Sequence, residues 1–463
     1  MIAGRNYDLI DRYRITAELS QPLHIGSSDD GRQQILVHPS DGLPFVQASG
    51  IAGVFRQTYE MLQPGESSDD LFGTGGEDCS GGDDRKIVFT DGRFDGNVVV
   101  EMRPSVRIDP YSGTASQTGI KGTTRKAGHK FDTEYIAAGA VFVFCFYVFG
   151  TSEKIDTDKE SILSILSAIK QGDVRFGGKK SSGSGAMKIT SVLYRRYDMR
   201  KADDRREWSH ESEDSGQNSQ DIFPTLANVE TGLTAYTITV KGKTEGPLLV
   251  KSIAVDEVGK DVPDAVNIRN AGGDYIVPGT SLKGALRNRM QYICDYFKAA
   301  HIPVDEGLME HAFGVEGKSR DTGKAGIMMF EDIFIGQKLS DEQIPLIHRI
   351  HIDKFTGGVM NKALFSEKPV SGEFEFTIRI QKRFGQKNAD QTCGLLILAL
   401  RDLSLGMFNL GSGYATGKGF LNIHSVAVVS HADQRSAWFK RGEVRDEGHL
   451  ISDCLKSLRR KEA

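Results

Sequence analysis

Apolar and polar residues alternate in short stretches of the chain, and this period of two predicts β-strands. Other stretches repeat apolar residues every three to four positions, which predicts helices. The predicted strands are Tyr13–Leu19, Ile87–Thr90, Val141–Phe149, Thr234–Lys241, Gly326–Glu331 and Gly372–Ile380, and the predicted helices include Ser161–Lys170 and Thr392–Leu403. Strands and helices mixed in this order predict an α+β fold, with a ferredoxin-like sheet that carries helices on one face.

Four apolar residues after Pro278 recur at helical spacing and predict a helix with one buried face. These residues are Leu282, Leu286, Met290 and Ile293. We expect Thr280 or Ser281 to cap this helix, because a hydroxyl accepts a hydrogen bond from a free N–H of the first turn. Lys283 and Arg287 are four residues apart and share the opposite face. A lysine in the first turn opposes the helix dipole, so either solvent or an anionic group should lie beside it.

The chain repeats itself once. The offset between matching residues is 223 from Tyr13 to Tyr236 and 244 from Arg107 to His351. The matching segments begin at Tyr13, Gln21, Leu43, Leu71, Val88, Arg107 and Phe176 in the first half, and at Tyr236, Gly246, Asp274, Ala312, Met329, His351 and Leu410 in the second. Matches in the same order at a nearly constant offset predict two copies of one fold.

The repeat and the local composition divide the chain into four segments. We predict a first domain at 1–194, a charged linker at 195–232, a second domain at 233–430 and a charged C-terminal tail at 431–463. The linker is interpreted as solvated, because it holds too few apolar residues to build a core. The tail contains a short amphipathic helix that either packs on a neighbour or shields a sheet edge.

The composition is that of a soluble globular protein, with 39% hydrophobic and 26% charged residues. A net charge of -4 argues against coating nucleic acid through bulk charge, so any such site must be a local basic patch. The five cysteines form no CxxC pair, which favours a reducing cytoplasm and gives no zinc framework. We expect no signal peptide, because Asn6–Arg14 is polar and charged. We also expect no membrane span, since the longest apolar run, Ala137–Phe149, is too short to cross a bilayer.

A glycine-rich loop ends each half, at Gly177–Gly185 and Gly411–Gly419. Neither loop is a Walker A motif, because the lysine-to-hydroxyl spacing and the strand–loop–helix context are missing. Glycine lets a backbone approach a polyanion closely, so phosphate binding and a flexible hairpin are both open interpretations. The candidate phosphate-binding residues are Gly177, Gly178, Lys179, Lys180, Gly411, Gly413 and Lys418.

Basic residues cluster in the excursion that follows Ile87–Thr90. They are Arg103, Arg107, Lys121, Arg125, Lys126 and Lys130. In the second half, His348, His351 and Asp353 have a spacing that could hold a metal, but Arg107 stands in the matching position of His351. We therefore interpret both excursions as basic segments suited to a nucleic-acid backbone.

The segment Pro278–Arg287, together with a terminal glycine-rich loop, resembles the RAMP superfamily of CRISPR systems. Within that superfamily the match is to the backbone subunits of type III effector complexes. Phe313-Gly, Phe330–Asp332 and the pair Ile352-Asp353 fit the same pattern. The resemblance covers both halves, so the chain looks like two backbone subunits fused into one.

This resemblance implies tandem modified ferredoxin-like domains of the RNA-recognition type, with thumb-like insertions and glycine-rich loops. The insertions would be Ser105–Phe131 and Ile350–Leu364. In the family a loop aspartate supports metal-dependent cleavage of target RNA, and this residue falls on Asp264. The same count in the first half reaches Gln33, so Asp30, which lies close by, is the first-half candidate.

We accordingly predict a guide-RNA-binding backbone subunit of a type III effector that cleaves guide-paired target RNA. Asp264 would bind Mg²⁺ or another divalent cation. The expected partners are a CRISPR guide RNA, single-stranded target RNA, and other RAMP and large-subunit proteins of the complex, in the cytoplasm and away from membranes. Besides the loop residues, the expected RNA-binding residues are Arg56, Arg107, Arg125, Lys126, Lys283, Arg287 and His351.

Two alternatives stay open at this point. One is a guide-RNA scaffold without catalysis, which the Gln33 position favours for the first half. The other is a precursor-processing ribonuclease that cuts by acid–base chemistry without metal. That reaction needs a positioned histidine, for which His24 and His301 are the candidates.

Overall fold

The computed structural model describes residues 7–26, 34–73, 85–106, 108–109, 117–119, 126–128, 130–210, 218–226, 231–252, 263–315, 323–336, 339 and 341–459. The chain forms two compact units. The first comprises Met1–Arg103, Asp132–Lys180 and Ser184–Leu233, and the second comprises Pro104–Phe131, Ser181–Gly183 and Thr234–Ala463.

Strands and helices of the first half follow the predicted alternation. The strands are β1 (Leu9–Leu19), β2 (Phe45–Val46), β3 (Ile87–Phe89), β4 (Gly92–Asp95), β5 (Val100–Val106), β6 (Gln117–Gly119), β7 (Lys126–Gly128), β8 (Lys130–Ile136), β9 (Val141–Gly150), β10 (Met187–Asp198) and β11 (Gln220–Asp221). The helices are α1 (Ala48–Leu62), α2 (Asp69–Phe72), α3 (Ile155–Lys170) and α4 (Ala202–Ser209), with 3-10 turns at Lys180–Ser182 and Phe223–Thr225.

The first unit is built on an antiparallel sheet in the order β11-β10-β1-β9-β4-β2, with β3 also paired to β9. The central strand β1 places Tyr13 opposite Tyr194 on one side and Phe146 on the other. The rings of Tyr13 and Phe146 stack with centroids 4.7 Å apart. Phe55 of α1 and Ile165 of α3 join the same core. The alternation in β1 thus gives one apolar face, which the two helices cover.

The second half contains the corresponding elements. The strands are β12 (Thr234–Thr244), β13 (Lys251–Ser252), β14 (Ala265–Asn267), β15 (Ile276–Val277), β16 (Gly314–Val315), β17 (Lys324–Ala325), β18 (Met328–Met329), β19 (Ile333–Phe334), β20 (Ile347–Ile352), β21 (Val359–Lys368), β22 (Glu373–Gln381), β23 (Leu421–Ser430), β24 (Ser436–Lys440) and β25 (Glu443–Arg445). The helices are α5 (Gly279–Ala299), α6 (Leu308–Phe313), α7 (Gln386–Ser404) and α8 (Leu450–Ser457), with 3-10 turns at Asp341–Gln343 and Tyr414–Thr416.

The second unit has its main sheet in the order β18-β22-β12-β23-β24-β25. Val240 of the central β12 lies opposite Phe376 of β22 and Val426 of β23. Leu286 of α5 and Leu396 of α7 are fully buried in the core beside this sheet. In both units, the strand that opens the half is therefore flanked by the strands that precede and follow the last long helix.

The α+β prediction is confirmed. The apolar face predicted for the helix after Pro278 is also confirmed, because all four of its residues are buried in α5. Helices α3 and α7 each begin six residues before their predicted starts. Apart from Ile155, their first turns hold few apolar residues, and such a turn shows too little periodicity to locate the helix start.

The hydroxyl cap predicted for α5 is wrong, because the helix begins one residue before Thr280, at Gly279. The backbone N–H of Gly279 instead donates to Oδ1 of Asp332 at 2.9 Å. In the first half, the N–H of Ala48 at the start of α1 donates to Oδ1 of Asp91 at 2.7 Å. Each carboxylate complements the positive end of its helix from a position about 43–53 residues further along the chain.

The segment 195–232, expected to be a solvated linker, differs in the structure. Strand β10 runs to Asp198, and α4 follows it. Trp208 of α4 packs edge-on against Tyr147 at 5.2 Å and against Tyr197 at 5.5 Å between ring centroids. One tryptophan set among strand aromatics holds this charged helix on the sheet, so the described part of the segment belongs to the first unit.

The C-terminal tail packs on neighbouring elements of the second unit, which was one of its two expected roles. Strand β24 pairs with β23, and β25 pairs with β24. Helix α8 buries Leu450, Ile451 and Cys454 in the core of the second unit. The tail therefore extends the second sheet and covers α7.

Both glycine-rich loops close through equivalent backbone hydrogen bonds. Within the loops, the N–H of Phe176 donates to the carbonyl oxygen of Gly185 at 2.9 Å, and that of Leu410 donates to Gly419 at 3.0 Å. The N–H of Gly185 in turn donates to the carbonyl oxygen of Pro22 at 2.8 Å, and that of Gly419 donates to Pro247 at 2.9 Å. Gly185 and Gly419 have φ of +80° and +78°, and a Cβ would lie 1.8 Å and 2.0 Å from the carbonyl oxygens of Phe176 and Leu410. Only glycine fits these two positions.

We expect Gly419→Ala to lower the free energy of unfolding by at least about 3 kcal/mol, since it adds a steric clash to the cost of a left-handed alanine. Gly417→Ala is the matched control, because Gly417 has φ of +77° in the same loop and no described atom lies within 4 Å of its Cβ position. That control should cost only about 1–2 kcal/mol. Chemical denaturation measures both, and equal losses would contradict the steric explanation.

Candidate nucleic-acid interface

Lys283 lies in the first turn of α5, where its Nζ donates to Oγ of Ser181 at 2.7 Å. The side chain is partly buried. This burial, followed by repulsion from the nearby Arg287, lowers the pKa of Lys283 to about 8. A neutral hydroxyl does not offset the charge of an ammonium group, so the position suits an anionic ligand.

Arg287 and Arg56 make the same contact in the two halves. The guanidinium of Arg287 lies 5.8 Å from the ring centroid of Phe313, and that of Arg56 lies 6.0 Å from Phe72. Arg56 also donates to the carbonyl oxygen of Gly73. These contacts confirm the predicted correspondence between the two arginines. They also show that each arginine holds the Phe-Gly segment against the preceding helix.

The glycine-rich loops lie directly against the backbone of the segment that follows each opening strand. Gly177 and Gly411 have φ of +69° and +79°. A Cβ would lie 2.4 Å from the carbonyl oxygen of His24 in the first case and 2.5 Å from that of Leu249 in the second. Gly413 is left-handed as well, with φ of +86°. Close backbone packing therefore explains why glycine is needed at Gly177 and Gly411.

The lysines of these loops have different surroundings. Lys179 donates from Nζ to Oγ1 of Thr133 at 2.7 Å, and burial lowers its pKa to about 8. Lys180 is partly buried and begins a 3-10 turn. Lys418 is buried and forms an ion pair with Glu367. Lys418 can contact a phosphate only by sharing its charge with that carboxylate.

A cleft of about 610 Å³ lies at the base of the hairpin formed by β20 and β21. Asp264 lines it together with Glu367, Lys251, Arg349 and Phe365. Asp264 immediately precedes β14, which pairs in parallel with the end of β21. The predicted loop aspartate is thus placed at the base of the second thumb-like hairpin, beside two basic side chains.

Asp264 is exposed but is bonded on one side. Its Oδ2 accepts hydrogen bonds from the backbone N–H of Ser366 at 2.7 Å and from Oγ of Ser366 at 3.2 Å. The N–H of Asp264 donates to the same Oγ at 3.2 Å. Within the described ranges, Oδ1 of Asp264 accepts no hydrogen bond. One oxygen of the carboxylate therefore fixes the side chain, and the other is left for a ligand.

Glu367, the residue after Ser366, is buried among three cations. It forms ion pairs with Lys418, with Arg349 at 2.6 Å and with Lys251 at 3.6 Å. Burial opposes its ionisation, but the hydrogen bond from Lys418 and the charges of all three cations lower the pKa of Glu367 on balance. Two of these cations, Lys251 and Arg349, line the cleft, where their charges balance those of Asp264 and Glu367. Their side chains suit contact with a phosphate group.

Sequence reasoning missed Glu367, Lys251 and Arg349. These residues and Lys418 are separated by up to 167 positions (251 to 418), so no local spacing connects them. The only available signal was the position of Arg349 in the basic segment that contains His348 and His351.

The remaining predicted residues fall into two groups. His351 is exposed in β20, and Lys126 belongs to β7. Arg107, Arg125 and Asp30 lie outside the described residues.

Equivalent strand pairs in the two halves show which first-half residue aligns with Asp264. The equivalent pairs are Gly26 with Ile35 and Lys251 with Asn267. Asp264 precedes Asn267 by three residues, and the residue three positions before Ile35 is Arg32. The matching position therefore holds Arg32 and not Gln33, and neither residue is a carboxylate. Both of these residues lie outside the described ranges, as does Asp30.

The two histidines of the processing alternative are in different settings. Nδ1 of His24 lies 2.9 Å from the carbonyl oxygen of Glu134, and burial lowers the pKa of His24. His301 is exposed beyond the end of α5 and has φ of +55°.

The residues at the cleft fit a magnesium ion that is shared with RNA. Among the described side chains, no group of three or more His, Cys, Asp or Glu could hold a metal by itself. Mg²⁺ in phosphoryl-transfer sites commonly takes only one or two carboxylates and completes its shell with substrate phosphates and water. The open Oδ1 of Asp264 meets that requirement, and Lys251 and Arg349 beside it suit a substrate phosphate.

Comparison with known protein families identifies the class. Residues 16–188 and 242–422 match the RAMP superfamily, so each half carries one match and together they cover most of the chain. The chain belongs to the RAMP superfamily, as two domains in tandem. A search of curated proteins found no similar sequence.

Membership of this family indicates the general function of the chain. RAMP proteins are CRISPR-associated proteins that bind CRISPR RNA within multisubunit complexes, and the chain is an RNA-binding subunit of this kind. None of the described helices is both long and apolar enough to cross a membrane.

The buried charge of Lys283 generates a prediction about pH. The folded-state pKa of about 8 is below the unfolded value of 10.5, so below pH 8 the lysine is charged in both states and the burial penalty is complete. Lys283→Met should raise the free energy of unfolding at pH 7 by about 1–3 kcal/mol. This gain should shrink as the pH rises from 8 toward 10.5. Urea denaturation of both proteins at pH 7 and pH 10 measures it, and a gain that is independent of pH would contradict the assignment.

Proposed function

We propose that the chain is a guide-RNA-binding backbone subunit of a type III CRISPR effector, and that it cleaves guide-paired target RNA in a metal-dependent reaction. The observation that carries this proposal is the position of Asp264, at the base of a thumb-like hairpin in a cleft that Lys251 and Arg349 also line. Family membership supports RNA binding, and the type III assignment rests on the resemblance of both halves to backbone subunits.

Guide binding would use contacts to phosphates and not to base edges. Lys179, in the first glycine-rich loop, donates to the hydroxyl of Thr133, and Lys283 donates to the hydroxyl of Ser181 in the same loop. Lysine on a backbone-packed loop contacts phosphates without reading sequence. A single subunit could then accept guides of any sequence, which a guide-directed effector requires.

Cleavage would depend on Asp264 and the cations of the cleft. Asp264 would hold a divalent cation through Oδ1, while Ser366 holds Oδ2. When bound, the metal would supply Lewis-acid stabilisation of charge on the phosphoryl oxygens. Lys251 and Arg349, which Glu367 keeps at the cleft, would orient the scissile phosphate and stabilise the negative charge that develops on it.

The first half would contribute a second cut only if another carboxylate replaces the one that its matching position lacks. Asp30 is the candidate, because it lies two residues from Arg32 in the chain. The expected partners are a guide RNA, a single-stranded target RNA, and other RAMP and large-subunit proteins of the effector.

Asp264→Asn should abolish one cut in the target RNA and leave guide binding nearly unchanged, because an amide keeps the size of the side chain but removes the charge that holds the cation. A surface-loop change of this kind rarely costs more than about 0.5 kcal/mol of stability. Gel mapping of target fragments from the guide-loaded protein measures the effect, with Asp30→Asn analysed in parallel. Full cleavage by Asp264→Asn would favour a scaffold without catalysis, and cleavage that survives EDTA would favour metal-free chemistry.

Replacing Lys179 and Lys180 together by alanine should weaken the binding of all guide sequences about equally. The dependence of log affinity on log salt should become shallower by about 0.7 for each single-strand phosphate contact that is lost. The double arginine variant is the control, since it keeps both charges and should bind nearly as the wild type does. Fluorescence anisotropy with two unrelated guides measures this, and a loss confined to one guide would contradict phosphate binding.

A further inference from the structure

Ser366 has a bonding pattern that the proposed reaction does not by itself explain. Its Oγ accepts from the N–H of Asp264 and donates to Oδ2 of Asp264, both at 3.2 Å. Its own N–H donates to the same Oδ2 at 2.7 Å. Because the hydroxyl accepts from the backbone, its single proton is directed at the carboxylate. The two residues, 102 positions apart in the chain, thus form a closed pair of reciprocal bonds.

We propose that Ser366 is the positioning residue of the cleavage site, so this inference rests on the proposed function. Ser366 would fix the side-chain torsion of Asp264 so that Oδ1, and not Oδ2, is presented to the divalent cation. It would act through Asp264, without contacting metal or RNA. Losing the hydroxyl would leave the backbone N–H of Ser366 as the one remaining donor to Oδ2. The carboxylate would then be held less firmly, which weakens its hold on a cation.

Ser366 is suited to this task because its own backbone is held on both sides. On one edge, β21 pairs in parallel with β14, with Glu367 opposite Ala265 and Lys368 opposite Val266. On the other edge, it pairs with β20, where Ser366 lies opposite His348. The adjacent Glu367 is anchored by its three ion pairs. Ser366 is therefore held in place at the base of the thumb-like hairpin, where it orients the exposed carboxylate of Asp264.

The hydrogen bonds between Asp264 and Ser366 also connect the loop that carries Asp264 to the hairpin of β20 and β21. Among the described residues, the side chain of Asp264 forms hydrogen bonds with Ser366 alone. Its alignment therefore depends on the end of β21. Any shift of the hairpin end would misplace the carboxylate, which links the position of the thumb to the competence of the site.

The test compares Ser366→Ala with Ser366→Thr in the full chain loaded with a guide. Threonine keeps a hydroxyl and is the matched control. The first readout is Mn²⁺ binding by electron paramagnetic resonance, in the presence of a target strand with 2′-deoxyribose at the cut. The second is the Mg²⁺ concentration that gives half-maximal cleavage of an all-RNA target. The third is the thermal unfolding midpoint.

Ser366→Ala should weaken Mn²⁺ binding and raise the Mg²⁺ midpoint by about three- to tenfold, as expected for the loss of one hydrogen bond of ordinary strength, since the bond from Oγ to Oδ2 is long, at 3.2 Å. The maximal cleavage rate at saturating Mg²⁺ and the unfolding midpoint should change little. Ser366→Thr should bring both metal readouts back to within about twofold of wild type.

Three outcomes would overturn the positioning role. Unchanged metal readouts in Ser366→Ala, with Asp264→Asn losing its cut, would reject Ser366 and keep the proposed function. Weaker metal binding accompanied by a lower unfolding midpoint, and not restored by threonine, would indicate a purely structural contact. Normal cleavage by Asp264→Asn would reject the proposed function and the positioning role together.

Discussion

The ion-pair group around Glu367 is the constraint on which the second half depends. A buried carboxylate is stable only when cations compensate for its lost hydration, and Lys418, Arg349 and Lys251 do so from three different elements. Lys418 belongs to the glycine-rich loop, Arg349 to one strand of the thumb-like hairpin, and Glu367 to the other. The group therefore joins the loop predicted to follow the guide to the hairpin that borders Asp264.

The first half keeps the backbone of this arrangement without its central carboxylate. Leu23 and Leu248 each make the same hydrogen bond, to the carbonyl oxygens of Ile136 and Val370, which aligns the two halves residue by residue. By this alignment, the position of Glu367 is held by Thr133 in the first half. A neutral hydroxyl cannot hold three cations in place, so the two copies of one fold present different electrostatic surfaces.

In both glycine-rich loops, glycine is required because the backbone packs closely within the protein. Gly185 and Gly419 face carbonyl oxygens so closely that any side chain would collide with them. The close approach that a glycine-rich loop permits is therefore used within the protein, and phosphate binding would depend on lysines such as Lys179. For the same reason, glycine-rich composition alone is a weak indicator of a phosphate site, whereas two copies with matching hydrogen bonds mark a conserved architecture within the chain.

The sequence by itself determined the α+β class, the internal repeat and the buried face of α5, because burial of alternate or helically spaced residues follows directly from strand and helix periodicity. Through the resemblance to a family, it also singled out Asp264 as the candidate loop aspartate. Only the tertiary structure decided the cap by Asp332, the folding of Trp208 onto the first sheet, and the assembly of Glu367 with its cations. These contacts join residues far apart in the chain, and long-range charge pairing leaves no periodic trace in a sequence.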